Sequence, residues 1–172
     1  LSSYQLERTA LLAADVAIVL NISPDHLDRY DGMAAYHQAK HRVYRGCKNA
    51  VFNRDDKMTQ PLISKEAKSV SFGLGEPDLK EFGLREGVIS KGVTPLISAT
   101  DLLVKGSHNI SNVIAALAGA DQMGWPLTKA CEAALKFTGL AHRCQAVASV
   151  GGVNYVNDSK GTNVGACIAA ID

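Results

Sequence analysis

Residues 16–22, Val-Ala-Ile-Val-Leu-Asn-Ile, form a nearly continuous apolar run with no polar alternation. Such a run predicts a strand buried on both faces of a parallel sheet. Shorter apolar runs at 50–53 and 69–72 predict two further strands, the first ending in the polar turn Asn53-Arg54-Asp55-Asp56. Helical patterning covers 2–14 and 33–45. In the second of these, Met33, Tyr36, Val43 and Tyr44 recur at three-to-four spacing and mark an inward stripe. Ser23-Pro24-Asp25 carries a helix-start signal, with Ser as N-cap and Pro at the first helical position. Between 73 and 100 the chain is punctuated by glycine and proline, with hairpin-like turns at Glu86-Gly87 and Lys91-Gly92, and predicts a small antiparallel appendage. Two more helices follow at 107–123, closed by Gly124, and at 127–137. Beyond a hinge at Gly139-Leu140, strands at 144–150 and 153–157 flank Gly151-Gly152. A polar loop at 158–163 then precedes an apolar helix at 164–171. The fold class is α/β with a mostly parallel sheet, and a second domain begins near residue 140.

Composition narrows the function classes. The chain has 172 residues, 47% hydrophobic and 20% charged, which suits a globular core and argues against disorder. Eighteen basic against seventeen acidic side chains leave +1, with no basic stripe, so nucleic acid and membrane surfaces are not expected partners. The longest uncharged apolar run, 113–120, is far short of the ~20 residues of a membrane span. No basic-then-apolar targeting segment is seen. Cys47, Cys131, Cys144 and Cys167 are widely spaced without a C-x-x-C pair, which reads as free thiols in a reducing cytoplasm rather than zinc. Leu1 is not a methionine and Asp172 falls within a helical run, so the chain is expected to be a piece of something longer.

Four constellations could carry chemistry. Ser23-Pro24-Asp25-His26-Leu27-Asp28 follows the 16–22 strand, where open α/β sheets place ligands. His26 between two carboxylates could bind a metal or move a proton, or Asp25 could be a dipole-favoured acid beside a surface histidine. Lys40 falls on the inward stripe, four residues after Tyr36 and three before Val43. It must either snorkel out or be desolvated, and full burial lowers a lysine pKa by up to ~3–5 units, making the amine nucleophilic. His37 and His41 share helical i, i+4 spacing without an H-E-x-x-H carboxylate and read as exposed neighbours. Asn109 and Asn112, on one face where the 107–123 helix begins, could hydrogen-bond a purine edge or ribose, or simply cap the helix. Ala141-His142-Arg143 and Asn157-Asp158-Ser159-Lys160-Gly161-Thr162-Asn163 offer a phosphate clamp and a polar strand-to-helix loop, which could equally be a solvated loop. The chain contains no G-x-x-x-x-G-K-[ST] phosphate loop and no G-x-S-x-G elbow.

Taken together and in this order, Leu1-Ser2-Ser3-Tyr4-Gln5-Leu6-Glu7, Asp25-His26-Leu27-Asp28-Arg29-Tyr30, Tyr36 through Lys40, His108-Asn109-Ile110-Ser111-Asn112, Gly139-Leu140-Ala141-His142-Arg143 and the 157–163 segment resemble the Mur ligases. These are ATP-dependent amide-bond enzymes of peptidoglycan precursor synthesis, hence of cell wall, cell shape and cell division. The 157–163 segment points to the branch that joins D-glutamate to UDP-N-acetylmuramoyl-L-alanine. The resemblance implies a central ATPase domain of P-loop type over 1–139, with its phosphate loop upstream of Leu1. It also implies the start of a Rossmann-like C-terminal domain over 140–172, with most of the amino-acid-binding domain downstream. The isolated chain is then expected to be inactive and the enzyme to be a cytoplasmic monomer. Gly161 stands where many members carry alanine, and the Asp31-Gly32-Met33 loop is slightly short.

By the same resemblance, His26 and Lys40 would hold magnesium, Lys40 after carbamylation by carbon dioxide. Asn109 and Asn112 would face the adenine of ATP, and Arg143 would reach its phosphates. Asp158 would sit by the nucleotide, Lys160 and Thr162 near the reacting substrates, and Ser2 and Gln5 against the UDP-linked substrate. The implied reaction makes an acyl phosphate that the amine of D-glutamate attacks. Competing expectations are a sister amide ligase, such as the tripeptide-forming Mur ligase or folylpolyglutamate synthase, and a non-catalytic nucleotide-binding module on the same fold.

Overall fold

The structure is a computed structural model, and it describes residues 1–62, 68–162 and 164–171. Asn163, the last residue of the polar loop singled out above, lies outside the described residues. A six-stranded sheet runs in the order β1 (Val16–Val19), β2 (Asn49–Asn53), β3 (Lys68–Phe72), β4 (Phe82–Arg85), β5 (Val88–Lys91), β6 (Thr94–Ser98). The first three strands are parallel, in register Ala17↔Ala50 and Val51↔Val70. Ala50 and Val51 of β2 are fully buried and Ala17 and Val19 of β1 are buried, but Ile18 and Leu20 are exposed (37% and 42%), so β1, at the edge of the sheet, is not buried on both faces as its apolar run predicts. The stretch from 73 to 100 is not a separate appendage. β4 joins β3 in parallel at Phe72↔Phe82, so β4–β6 extend the same sheet and turn it antiparallel. The β4–β5 hairpin closes through Glu86 (φ 50°) and Gly87 (φ 77°), two consecutive left-handed residues that match the right-handed strand twist.

Helices cover both faces of this sheet. α3 (Ser107–Gln122) and α4 (Leu127–Lys136) pack on one side, where Phe72, Phe82, Ile89, Ile114, Leu117 and Ala118 form the larger core. On the other side α1 (Ser3–Glu7) and α2 (Gly32–His41) close a second core of Val19, Ile22, Tyr30, Tyr36, Ala39 and Tyr44. α3 ends where its periodicity does: Gly124 (φ 72°) lets Trp125 donate back to the Ala120 carbonyl and Gly124 to that of Asp121.

Two expected helices come out differently. α1 stops at Glu7 rather than running to 14, because the carbonyls that would continue it are taken from outside. Arg42 donates to the carbonyls of Leu6 (2.7 Å) and Thr9 (3.1 Å), and Lys48 and Asn49 take those of Ala14 and Asp15. After Ser23-Pro24 no helix forms. His26 adopts φ 54° and its carbonyl accepts from Arg29 and Tyr30, giving a tight turn. Ser-Pro-Asp signals turns as readily as helix starts, and here the turn wins.

The last elements stand apart. β7 (Gln145–Val150) and β8 (Val153–Asn157) form their own antiparallel two-stranded sheet, followed by α5 (Val164–Ile171). Among the described residues no helix is long and apolar enough to cross a membrane.

Candidate active site

The first cluster of candidate residues forms around Tyr36. The α2 stripe buries Tyr36 against Tyr30, with ring centroids 5.3 Å apart, and the turn after β1 lays His26 on the same group, 4.9 Å from the Tyr4 ring and 6.5 Å from Tyr36. His26 is exposed, and its Nε2 lies 3.6 Å from an Asp25 carboxylate oxygen. Lys40, one turn along α2, is half-buried and places its Nζ 5.6 Å from the Tyr36 centroid. The stripe therefore brings it in, neither fully desolvated nor free in water. Burial, then the charge of Asp25, pushes the Tyr36 hydroxyl above its ordinary pKa, so the carboxylate's field reaches the ring that Lys40 lies over.

Could these residues hold a divalent cation? No group of three or more His, Cys, Asp or Glu side chains converges among the described residues. Asp25 and His26 supply adjacent donors, and Lys40 approaches the same ring from α2. As an amine Lys40 adds no oxygen ligand, and magnesium prefers oxygen. The set fits magnesium once Lys40 carries an acid group.

Beside this cluster, Tyr4, Gln5, Arg8, Asp28 and Arg29 line an open cleft of about 690 Å³. Arg29 stacks over Tyr4 at 4.7 Å and pairs with Glu7 at 2.9 Å. Gln5 faces this cleft, yet Ser2 and Gln5 also cap α1 reciprocally: Ser2 N–H donates to Gln5 Oε1 at 2.8 Å and Gln5 N–H to Ser2 Oγ at 3.2 Å. Arg8 carries no signal in the sequence, and Arg29 appears there only within the Asp25–Tyr30 motif. In the cleft Arg8 stands beside the Tyr4 ring, with Asp28 on the same lining and Arg29 already paired with Glu7, and only the fold brings 4–8 next to 28–29.

The second cluster gathers at the hinge. Arg143 Nη1 donates to the Lys160 carbonyl at 3.3 Å, Lys160 N–H to the His142 carbonyl at 3.1 Å, and Cys144 N–H to Asp158 Oδ1 at 3.0 Å. The segments 142–144 and 157–160 are thus held together, which brings Arg143, Asp158 and Lys160 into one neighbourhood. Thr162 is exposed beside it. His142 (φ 64°) and Cys144 (φ 44°) both hold left-handed backbone, local strain of ~1–3 kcal/mol each that the surrounding bonds maintain. Burial and the Asp158 carboxylate push the Cys144 thiol up, away from thiolate character. The N-terminus of α3 meets this cluster, with His108 Nε2 3.8 Å from Cys144 Sγ. Asn109, beside it, donates its amide to the Lys105 carbonyl at 2.7 Å, while Asn112 is exposed.

A cation-bearing cluster, an arginine-lysine-aspartate loop pair and an α3 N-terminus, all on one α/β scaffold, can be set against known proteins. The Mur ligase middle domain matches residues 1–120. The chain belongs to the Mur ligase family. It is 50% identical, over its whole length, to the UDP-N-acetylmuramoylalanine--D-glutamate ligase of Acinetobacter baylyi and 51% identical to that of Pseudomonas fluorescens. It spans about 40% of the length of these curated relatives. Among solved structures it is similar in fold to MurF from Acinetobacter baumannii (TM-score 0.71, 24% identity, 91% of this chain and 36% of that one). It is likewise similar to MurC from Thermotoga maritima (TM-score 0.67, 22% identity, 94% and 37%). The α/β architecture with its mostly parallel sheet is therefore that of Mur ligases.

Proposed function

We propose that the protein to which this chain contributes is the cytoplasmic, ATP-dependent ligase that joins D-glutamate to UDP-N-acetylmuramoyl-L-alanine. The observation that carries this reading is the identity of about half, across all 172 residues, to ligases named for D-glutamate. In this reading residues 1–139 belong to the ATP-binding domain and 140–172 open the next.

The chemistry asks for charge control. The γ-phosphoryl group passes from ATP to a carboxylate, so two anions must meet before an amine attacks the acyl phosphate and phosphate leaves. Arg143 supplies a guanidinium to the phosphates from the hinge, and Lys160, tied to the same loop, supplies a second cation. Asn109 and Asn112 orient the adenine by their amides. Asp158 holds the Cys144 backbone and with it the direction of Arg143. Ser2, Gln5 and the Arg8–Arg29 cleft take the UDP-linked substrate, with Thr162 near the reacting groups. Lys40 first loses its ammonium proton, and the neutral Nζ then adds carbon dioxide with loss of a second proton, so that a cation becomes an anionic oxygen donor. Lys40 and His26, with Asp25, would hold magnesium, which when bound neutralises phosphate charge.

The test is phosphate release by the intact enzyme with ATP, UDP-N-acetylmuramoyl-L-alanine and a panel of amino acids. Turnover restricted to D-glutamate supports the assignment. Equal turnover with L-lysine or meso-diaminopimelate moves it to a sister ligase, and none with any amino acid favours a non-catalytic nucleotide-binding module.

A further inference from the structure

Helix α2 carries a second arrangement of donors, on a face rotated about 100° from the Tyr36–Lys40 stripe by the one-residue offset. His37 and His41 are half-buried, not exposed neighbours, and their rings lie 3.8 Å apart between centroids. Both Nε2 atoms point to one backbone oxygen, the Met58 carbonyl, at 2.8 Å and 2.7 Å. That carbonyl is held from both sides. Met58 N–H donates to Asp56 Oδ1 at 2.9 Å. The next residue, Thr59, is fully buried, donates its hydroxyl to the Asn53 and Asp56 carbonyls at 2.8 Å, and accepts from Asn53 N–H at 3.0 Å. Tyr44 O–H donates to the Thr59 carbonyl at 2.9 Å.

We propose that His37, His41 and the Met58 carbonyl form a transition-metal site of the zinc and nickel class. Imidazole is a preferred ligand of these ions, and two imidazoles one helical turn apart converging on a fixed oxygen supply three ligands of a four-coordinate shell, with water as the fourth. An ion with bonds of ~2.1 Å sets tetrahedral ligand atoms about 3.4 Å apart, so the observed 2.7–2.8 Å separations must open by roughly 0.6–0.7 Å as both rings turn from the carbonyl oxygen toward the ion. Each ring changes tautomer as its nitrogen turns from donor to ligand, the Nε2 proton passing to solvent while Nδ1 takes one up, so that a neutral imidazole binds the ion. Magnesium, which favours oxygen shells, competes poorly here. Occupancy would staple the C-terminal end of α2, the helix that carries Lys40, to the Lys57–Thr59 turn.

The experiment titrates the untagged intact enzyme with Zn²⁺ and Ni²⁺ by calorimetry in excess magnesium, and with Co²⁺ followed by its visible absorption. One saturable ion per chain is expected, with a rise in Tm. His37→Gln and His41→Gln should each abolish the Co²⁺ band while keeping the metal-free Tm near that of the wild type. Undiminished binding in the double variant, or no saturable binding in the wild type, overturns the proposal. X-ray absorption of the zinc-loaded wild type decides independently of how the variants fold: two imidazoles with oxygen are required, and any thiolate or a different imidazole count sinks the site.

Discussion

Lys40 Nζ lies 5.6 Å from the centroid of the Tyr36 ring, one turn back on the same helix. A cation–π contact of this kind is worth roughly 0.5–1 kcal/mol at a partly exposed site, enough to aim the side chain but not to fix it. The same ring has His26 6.5 Å away and lies within the field of Asp25. In the intact enzyme Lys40→Ala should remove most activity, and acetate should restore part of it by supplying the missing carboxylate oxygens. Lys40→Arg should resist rescue, since its permanent charge fills the space. Carbon-13 NMR with labelled bicarbonate should show a carbamate signal that vanishes in Lys40→Ala. If the wild type shows none and activity is indifferent to bicarbonate depletion, Lys40 is an ordinary snorkelling lysine.

Arg143 is anchored by the Lys160 carbonyl at 3.3 Å and flanked by two left-handed residues, so its place depends on the hinge geometry. In the proposed reaction its guanidinium would meet phosphate charge that grows during transfer. Arg143→Ala should therefore lower kcat far more than it raises KM for ATP, because the contact belongs mainly to the transition state. Steady-state kinetics with a raised KM and unchanged kcat would assign it to ground-state binding instead.

Gly161 answers for a departure visible in the sequence. A Cβ at this position would clash with Asp158 Oδ2, so an alanine forces the carboxylate to move. That carboxylate is the acceptor for Cys144 N–H. Gly161→Ala should lower kcat while Asp158 resettles, as steady-state kinetics would show. Wild-type kinetics in Gly161→Ala would mean that Asp158 swings aside freely and does not set the direction of Arg143.

How much of this was legible depends on the range of the interaction. The β1 and β2 strands and the Tyr36–Lys40 stripe were readable because continuous apolarity and helical period are local signals. The segments around Arg143 and around Asp158 and Lys160 stood out by their residue types, and the structure adds that hydrogen bonds join them. What was not readable is set by distant partners. Arg42 ends α1 from more than thirty residues away. The Arg8–Arg29 cleft exists only once α1 meets the turn after β1. His37 and His41 find a backbone carbonyl at Met58, which no residue type announces.

Glu81 gives the fold an acid-sensitive point. Its carboxylate accepts from Ser71 Oγ at 2.5 Å and from Asp78 N–H at 3.1 Å, and Arg54 stands 4.0 Å away. Burial alone would raise its pKa, but these hydrogen bonds and the Arg54 charge outweigh burial and hold it below the ordinary value of 4.5. The ionised form is thus favoured by folding. Its stabilisation is fully present above about pH 4.5 and is lost as pH falls through the lower folded-state value. Arg54 also donates to the Phe82 carbonyl at 2.7 Å and the Gly75 carbonyl at 2.5 Å, so Glu81 helps hold the crossover that joins β3 to β4. Glu81→Gln should lower Tm at neutral pH and flatten the acid limb. The gap between wild type and variant should then narrow steadily below pH 4.5. A gap that stays constant down to pH 3 would show that Glu81 acts through its shape rather than its charge.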